Sequence, residues 1–191
     1  MTREEAFNLL NSLIKNPNLI KHHLACEEVM KALADYFKIQ KNIPDIDENK
    51  WALVGLLHDA DYDITRFLPE RHTLLFAERY GKRLEPDVLY AIKAHNFKNN
   101  KIEPKSLMDW SLYCCDELTG LIIAAVMVFP DRRLMSMTSD FVIGKFNEKS
   151  FAKGCDREQI KLCEEKLQIP LKEFVALSLR AMQNISLQLG F

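Results

Sequence analysis

A run of apolar and small residues, Trp51-Ala52-Leu53-Val54-Gly55-Leu56-Leu57, leads straight into His58-Asp59. The run is apolar on every side, so it predicts a helix buried all round. A chain that buries such a helix must also accommodate the two ionisable groups at its end. An unpaired buried carboxylate costs several kcal/mol in order of magnitude, so Asp59 needs a partner or a cation. The rest of the chain supplies helices to surround it. Thr2 with Glu5 fits a capping box that opens a helix to about residue 15. Asn16-Pro17 starts a second helix, to about residue 38, and a third covers about 48–58. Residues 60–70 read as a loop. Short helices follow at about 71–80, with Gly81 as the C-cap, and at about 86–95 after Pro86. Pro104 opens the longest helix, ending near Phe129. The remainder reads as a short helix over about 138–147, a second capped by Asp156, and a last helix opened by Pro170. No segment alternates with period two, and no hairpin turn signal occurs. The expected fold is all-α, a single-domain bundle of eight to nine helices over residues 1–191. Helices of about 16–130 carry the polar site, and a segment of about 138–190 packs on them.

Charge and cysteine content restrict the function. The 26 basic and 27 acidic residues leave a net charge of −1, and no basic stripe suggests a nucleic-acid surface. No uninterrupted apolar run reaches the 18 or so residues of a membrane span, and no secretory core follows the N-terminus. Cys26, Cys114, Cys115, Cys155 and Cys163 are odd in number and form no CxxC pair. That pattern suits reduced thiols in a cytoplasmic protein, with Cys114-Cys115 as small core residues. The oligomeric state is open at this level.

Five histidines, His22, His23, His58, His72 and His95, all lie on or at the edge of expected helices. Helical bundles can converge such side chains on one interior point. At about 100° per residue, Leu19, Cys26, Val29, Met30, Leu33, Tyr36 and Phe37 share one face of the second helix. His22 falls near the middle of that face and His23 at its margin, so His22 should point inward and His23 should sit at the rim. Asp116 lies in an almost wholly apolar stretch, where an ionised carboxylate wants a cation.

The ordered set His22, His58-Asp59, His72, His95 and Asp116 resembles the HD superfamily of metal-dependent phosphohydrolases. The phrases Lys21-His22, Gly55-Leu56-Leu57-His58-Asp59, Ala94-His95-Asn96 and Asp116-Glu117-Leu118-Thr119-Gly120 are similar to those of small bacterial and archaeal HD-domain proteins. The resemblance implies one metal held by His22, His58, Asp59 and Asp116. It also implies a second metal at His72 and His95, with Asp59 bridging. Imidazole and carboxylate donors suit Fe, Mn, Zn, Co or Ni. The implied activity is hydrolysis of a small phosphorylated substrate, a nucleotide in the first instance, by metal-activated water. Asp59, Asp61 and Asp63 are the expected catalytic carboxylates. Arg66, Arg71, Lys93, Lys145, Lys149 and Arg157 are the expected substrate-binding cations, the last three on a distal segment folding over the site. The same ligand set is similar to the di-iron site of inositol oxygenase, which keeps an oxygenase as an alternative. A nucleotide-binding HD domain without turnover is another.

Overall fold

The computed structural model describes residues 1–191 and is all-helical. The helices are α1 (Arg3–Leu13), α2 (Pro17–Gln40), α3 (Glu48–Leu57), α4 (Tyr62–Thr65), α5 (Leu74–Tyr80), α6 (Pro86–Ala94), α7 (Phe97–Asn100), α8 (Leu107–Val128), α9 (Ser139–Asn147), α10 (Arg157–Lys166), α11 (Leu171–Asn184) and α12 (Ser186–Leu189). Three of the twelve, α4, α7 and α12, are single turns of four residues. The nine longer helices match the expected number.

Local chemistry sets most boundaries. Thr2 and Glu5 form the reciprocal capping box of α1, and Pro17 and Pro86 occupy first turns, where their missing N–H costs nothing. Three expectations are corrected. The helix after Pro104 starts at Leu107, because Ser106 and Asp109 make a capping box there. At 22 residues it is shorter than the 24-residue α2. Residues 62–65, expected to lie in a loop, form the single helical turn α4, while Gly81 caps α5 as expected, at a right-handed φ of −56°.

Helices α2 and α8 pack together at the centre, with α3 against both. Helix α6 bears on α3 and α8, whereas α10 and α11 cover α8 and α11 also covers α2. One cluster of 41 buried apolar residues runs through the molecule, from Leu10 through Leu33, Leu56 and Leu121 to Phe174 and Met182. Each fully buried Leu or Phe is worth about 1.5–3 kcal/mol relative to exposure. Helix α8 is long and apolar enough to cross a membrane by length and composition, but 61% of its most apolar window is buried inside the bundle.

The crossing of α2 and α3 sets up the polar site. A Cβ placed on Gly55 would lie 2.5 Å from the Cys26 carbonyl oxygen. Only glycine lets the two backbones meet this closely, and the contact sits three residues before His58 and four after His22.

Candidate metal centre

His58 caps the end of α3, Asp59 follows it, His22 stands in α2 and Asp116 in α8. His72 precedes α5, and His95 caps α6. The fold brings all six together. His22 Nε2 lies 3.0 Å from Asp116 Oδ1 and 3.1 Å from His58 Nε2. Asp59 Oδ1 lies 3.0 Å from His72 Nε2 and 3.1 Å from His95 Nε2, and the latter two nitrogens are 3.2 Å apart. Asp59 stands between the two groups, its Oδ2 3.9 Å from His22 Nε2.

Each imidazole is locked through its other nitrogen. The Nδ1 of His58 faces the Gly55 carbonyl at 2.8 Å, and that of His95 faces the Ile92 carbonyl at 2.6 Å. Carbonyls only accept, so both Nδ1 atoms carry the proton. His72 Nδ1 meets Asp61 Oδ1 at 2.8 Å. The Thr119 hydroxyl donates to the Asp116 carbonyl at 2.8 Å and therefore accepts from His22 Nδ1 at 3.2 Å. All four Nε2 atoms thus present lone pairs to the same interior point. Lone pairs 3.1–3.2 Å apart repel unless a proton or a metal ion lies between them. This donor set, with its tautomers fixed from behind, fits divalent transition metals. Two groups of donor atoms meet the requirement, His22-Cys26-His58-Asp116 and Asp59-His72-His95, the atoms of each within 4.8 Å of one another.

The electrostatics agree. Burial pushes Asp59 up, but His58, His72 and His95 outweigh it and hold the carboxyl well below the usual range. Asp116 is lowered in the same way, burial being overcome by His22 and His58. Burial disfavours charge on His58, yet Asp59 and the other facing groups raise it to about 9. His72 rises to about 10 against its burial, through Asp59 and Asp61. Without a metal, the cluster keeps protons where a cation would sit.

The remaining expected residues divide sharply. Arg66 lines a cleft of about 280 Å³ that opens onto Asp59, His72, His95 and Asp116. Asp61 does not line it. Asp61 is buried, and its carboxylate also accepts from the Thr73 and Phe76 backbone N–H groups at 3.1 and 2.9 Å. It backs His72 and lies outside the lining of the cleft. Asp63 faces away and accepts from the Lys15 backbone N–H at 3.1 Å. Arg71 pairs with Glu78 at 2.8 Å and Lys145 with Glu148 at 2.8 Å, Lys93 lies over the Tyr90 ring, and Lys149 is exposed. Arg157 spends its guanidinium on backbone carbonyls, including those of Phe146, Ala152 and Cys155. None of these five cations lines the cleft.

His23 is another correction. It is wholly buried, with its ring centroid 5.1 Å from that of His58 and neither ring nitrogen hydrogen-bonded. Burial holds it well below the ordinary histidine pKa. The rim position assumed one inward face, whereas α2 is sandwiched between α3 on one side and α8 and α11 on another.

Several cleft residues were not anticipated. Lys98 lines the cleft and pairs with Asp156, and Tyr62, Asn96, Glu117 and Gln159 complete its walls. Thr119 had a legible signal, three residues after Asp116 and so on the same helical face.

The geometry defines a class, an all-helical protein with a histidine-aspartate cluster able to hold metal. The model of the HD domain family matches residues 19–121, which include every one of the six converging side chains, and the chain belongs to that family. No curated protein and no solved structure matches the chain.

Proposed function

We propose that this HD-domain protein is a metal-dependent phosphohydrolase that cleaves a phosphoester or phosphoanhydride of a small phosphorylated substrate, with a nucleotide as the first candidate. The observation that carries the reading is the turning of four Nε2 atoms onto two carboxylates by four separate Nδ1 locks. His22, His58 and Asp116, with Asp59 beside them and the Cys26 thiol among their donor atoms, would hold one divalent ion, and Asp59, His72 and His95 a second, from among Fe, Mn, Zn, Co and Ni. Such ions lower the pKa of water and neutralise charge on an attacked phosphate. The chain's own part is to fix the ligands, with Asp61 and Thr119 setting the tautomers of His72 and His22. Arg66, and Lys98 once released from Asp156, supply positive charge along the cleft for phosphate oxygens. Five free thiols support residence in a reducing, cytoplasmic compartment.

The test is elemental analysis of the purified protein, followed by phosphate release from a panel of nucleotides and small phosphate esters with Mn or Zn added. Asp59→Ala, which removes the carboxylate that stands between the two groups, should abolish both metal retention and phosphate release. Oxygen consumption by an iron-loaded protein without phosphate release would move the assignment to the oxygenase alternative. Nucleotide binding without turnover would move it to a regulatory domain.

A further inference from the structure

The cleft is polar almost throughout, with a single hydrophobic residue among its thirteen lining residues. Its rim is the opposite. Nine large apolar side chains are exposed on the molecule, and four of them fall within seven consecutive positions: Tyr62, Ile64, Phe67 and Leu68. Phe67 is 81% exposed. A concentration of this kind marks a surface that something covers. The segment is not loose. Thr65 donates to the Asp61 carbonyl at 2.8 Å, the Leu68 N–H donates to Thr65 at 2.7 Å, and the Asn96 amide donates to the Pro69 carbonyl at 2.7 Å. The backbone that carries these groups is therefore held in place, and Tyr62 on it lines the cleft itself.

We infer that this rim is a subsite for the part of the substrate that is not phosphate, and that this part carries a flat or apolar group. The inference takes the position of the phosphate from the phosphohydrolase reading above. Continuity identifies the occupant, because one short segment builds both surfaces. Tyr62 and Arg66, four residues apart and so on one face of the turn, line the cleft. The Arg66 guanidinium also lies over the Phe67 ring, 4.7 Å from its centroid. Arg66 thus spans the boundary, its charge toward the phosphate and its plane against an aromatic ring. At about 280 Å³ the cleft falls below the usual 300–1,000 Å³ or so of sites that enclose whole drug-sized ligands. A phosphate with a few more atoms fits inside, and a larger group must emerge over Tyr62 and Phe67.

The experiment measures kcat/KM and equilibrium binding of phenyl, hexyl and methyl phosphate with the Mn-loaded full chain, its Phe67→Ala variant and its Phe67→Leu variant. In equilibrium binding, where leaving-group reactivity plays no part, phenyl phosphate should be favoured over methyl phosphate by about fivefold or more, and Phe67→Ala should collapse that ratio toward one. Retention of the ratio for hexyl but not phenyl phosphate in Phe67→Leu identifies burial of an alkyl chain. Loss for phenyl alone with hexyl never favoured identifies stacking of a flat group. A wild-type ratio near one, a ratio indifferent to Phe67→Ala, or no binding of any of the three overturns the inference. So does a dimer by light scattering that Phe67→Ala dissolves, since a second copy would then be the cover. Binding that discriminates without phosphate release defeats the phosphohydrolase reading and leaves the subsite standing. Turnover without discrimination does the reverse.

Discussion

His22 and Asp116 stand within helices of 24 and 22 residues and His58 caps one of 10, whereas His72 precedes a helix of seven and His95 caps one of nine. The two halves of the centre are made rigid by different means. The helix-borne half is fixed by burial of the helices that carry it: Leu33, Leu56, Leu57, Leu112 and Leu118 on them are fully enclosed. The loop-borne half is fixed by hydrogen bonds. The Asn96 amide donates to the Pro69 and His72 carbonyls at 2.7 and 3.0 Å, and the Asn100 amide donates to Thr73 Oγ1 at 3.2 Å and the Lys93 carbonyl at 2.6 Å. Asp61 gathers His72 Nδ1 and two backbone N–H groups on one carboxylate. Packing resists single changes because many contacts share the load, while a hydrogen-bonded loop can fail at one atom.

The largest effect that separates the halves should come from Asp61→Asn. The substitution nearly preserves shape but takes the charge from behind His72. Metal affinity at the loop-borne half should fall about 10–100-fold, with the helix-borne half nearly unchanged. Stepwise titration of metal-free protein with Mn(II), followed by electron paramagnetic resonance, reads the two steps separately. Equal loss in both steps would show that the halves act as one unit.

A second effect comes from pH. His58 and His72 are raised in the folded metal-free protein to about 9 and about 10, above the ordinary 6.5. Their contribution to stability is therefore fully present below about pH 6.5 and lost as pH rises through 9–10. Asp59, Asp61 and Asp116 are lowered, so their contribution is present above the ordinary 3.8 and lost only as pH falls through the depressed values. The Tm of chelator-treated protein should fall between about pH 7 and 10. Bound metal already holds the imidazoles neutral and should remove much of that fall. A flat Tm for the chelated protein across this window would show that the imidazoles keep no extra proton.

The contrast also explains what the sequence could reveal. His58, Asp59 and Asp116 were legible because each interrupts or ends an apolar helix, where a charged group has to be accounted for. His22 followed from the 100° phase of α2. His23 escaped the same argument because the covered arc of that helix is wider than one face, and solvent is left to the line of Glu28, Lys31, Asp35 and Lys38, which His23 does not border. The place of Asp61 behind His72 was not legible because two of its partners are backbone N–H groups of a turn, and no periodicity describes a turn. The distal segment does reach the cleft, but through Gln159, whose amide donates to the Tyr113 carbonyl at 2.8 Å, and not through Lys145, Lys149 or Arg157. Where a late segment docks is decided by how α10 packs on α8, and its charged residues carry no record of that.

The smallest effect tests the loop-borne half at its most strained point. Thr73 has φ 71° and ψ −32° and is wholly buried. A β-branched residue with positive φ costs about 1–3 kcal/mol. The loop tolerates it because the Thr73 N–H reaches Asp61 and its hydroxyl accepts from Asn100. Thr73→Gly removes the strain and one of those bonds, and adds about 0.5–1 kcal/mol of unfolded-chain entropy. These terms nearly cancel, so the chelated protein should keep its Tm within a few degrees, with a small gain if the strain dominates. His72 loses a fixed neighbour either way, and the second step of the Mn(II) titration should weaken while the first holds. A Tm loss of ten degrees or so would mean that the hydroxyl and methyl of Thr73 stabilise the loop by more than its backbone strain costs. The loop-borne half would then depend on side-chain packing as well, and the distinction between the halves would narrow.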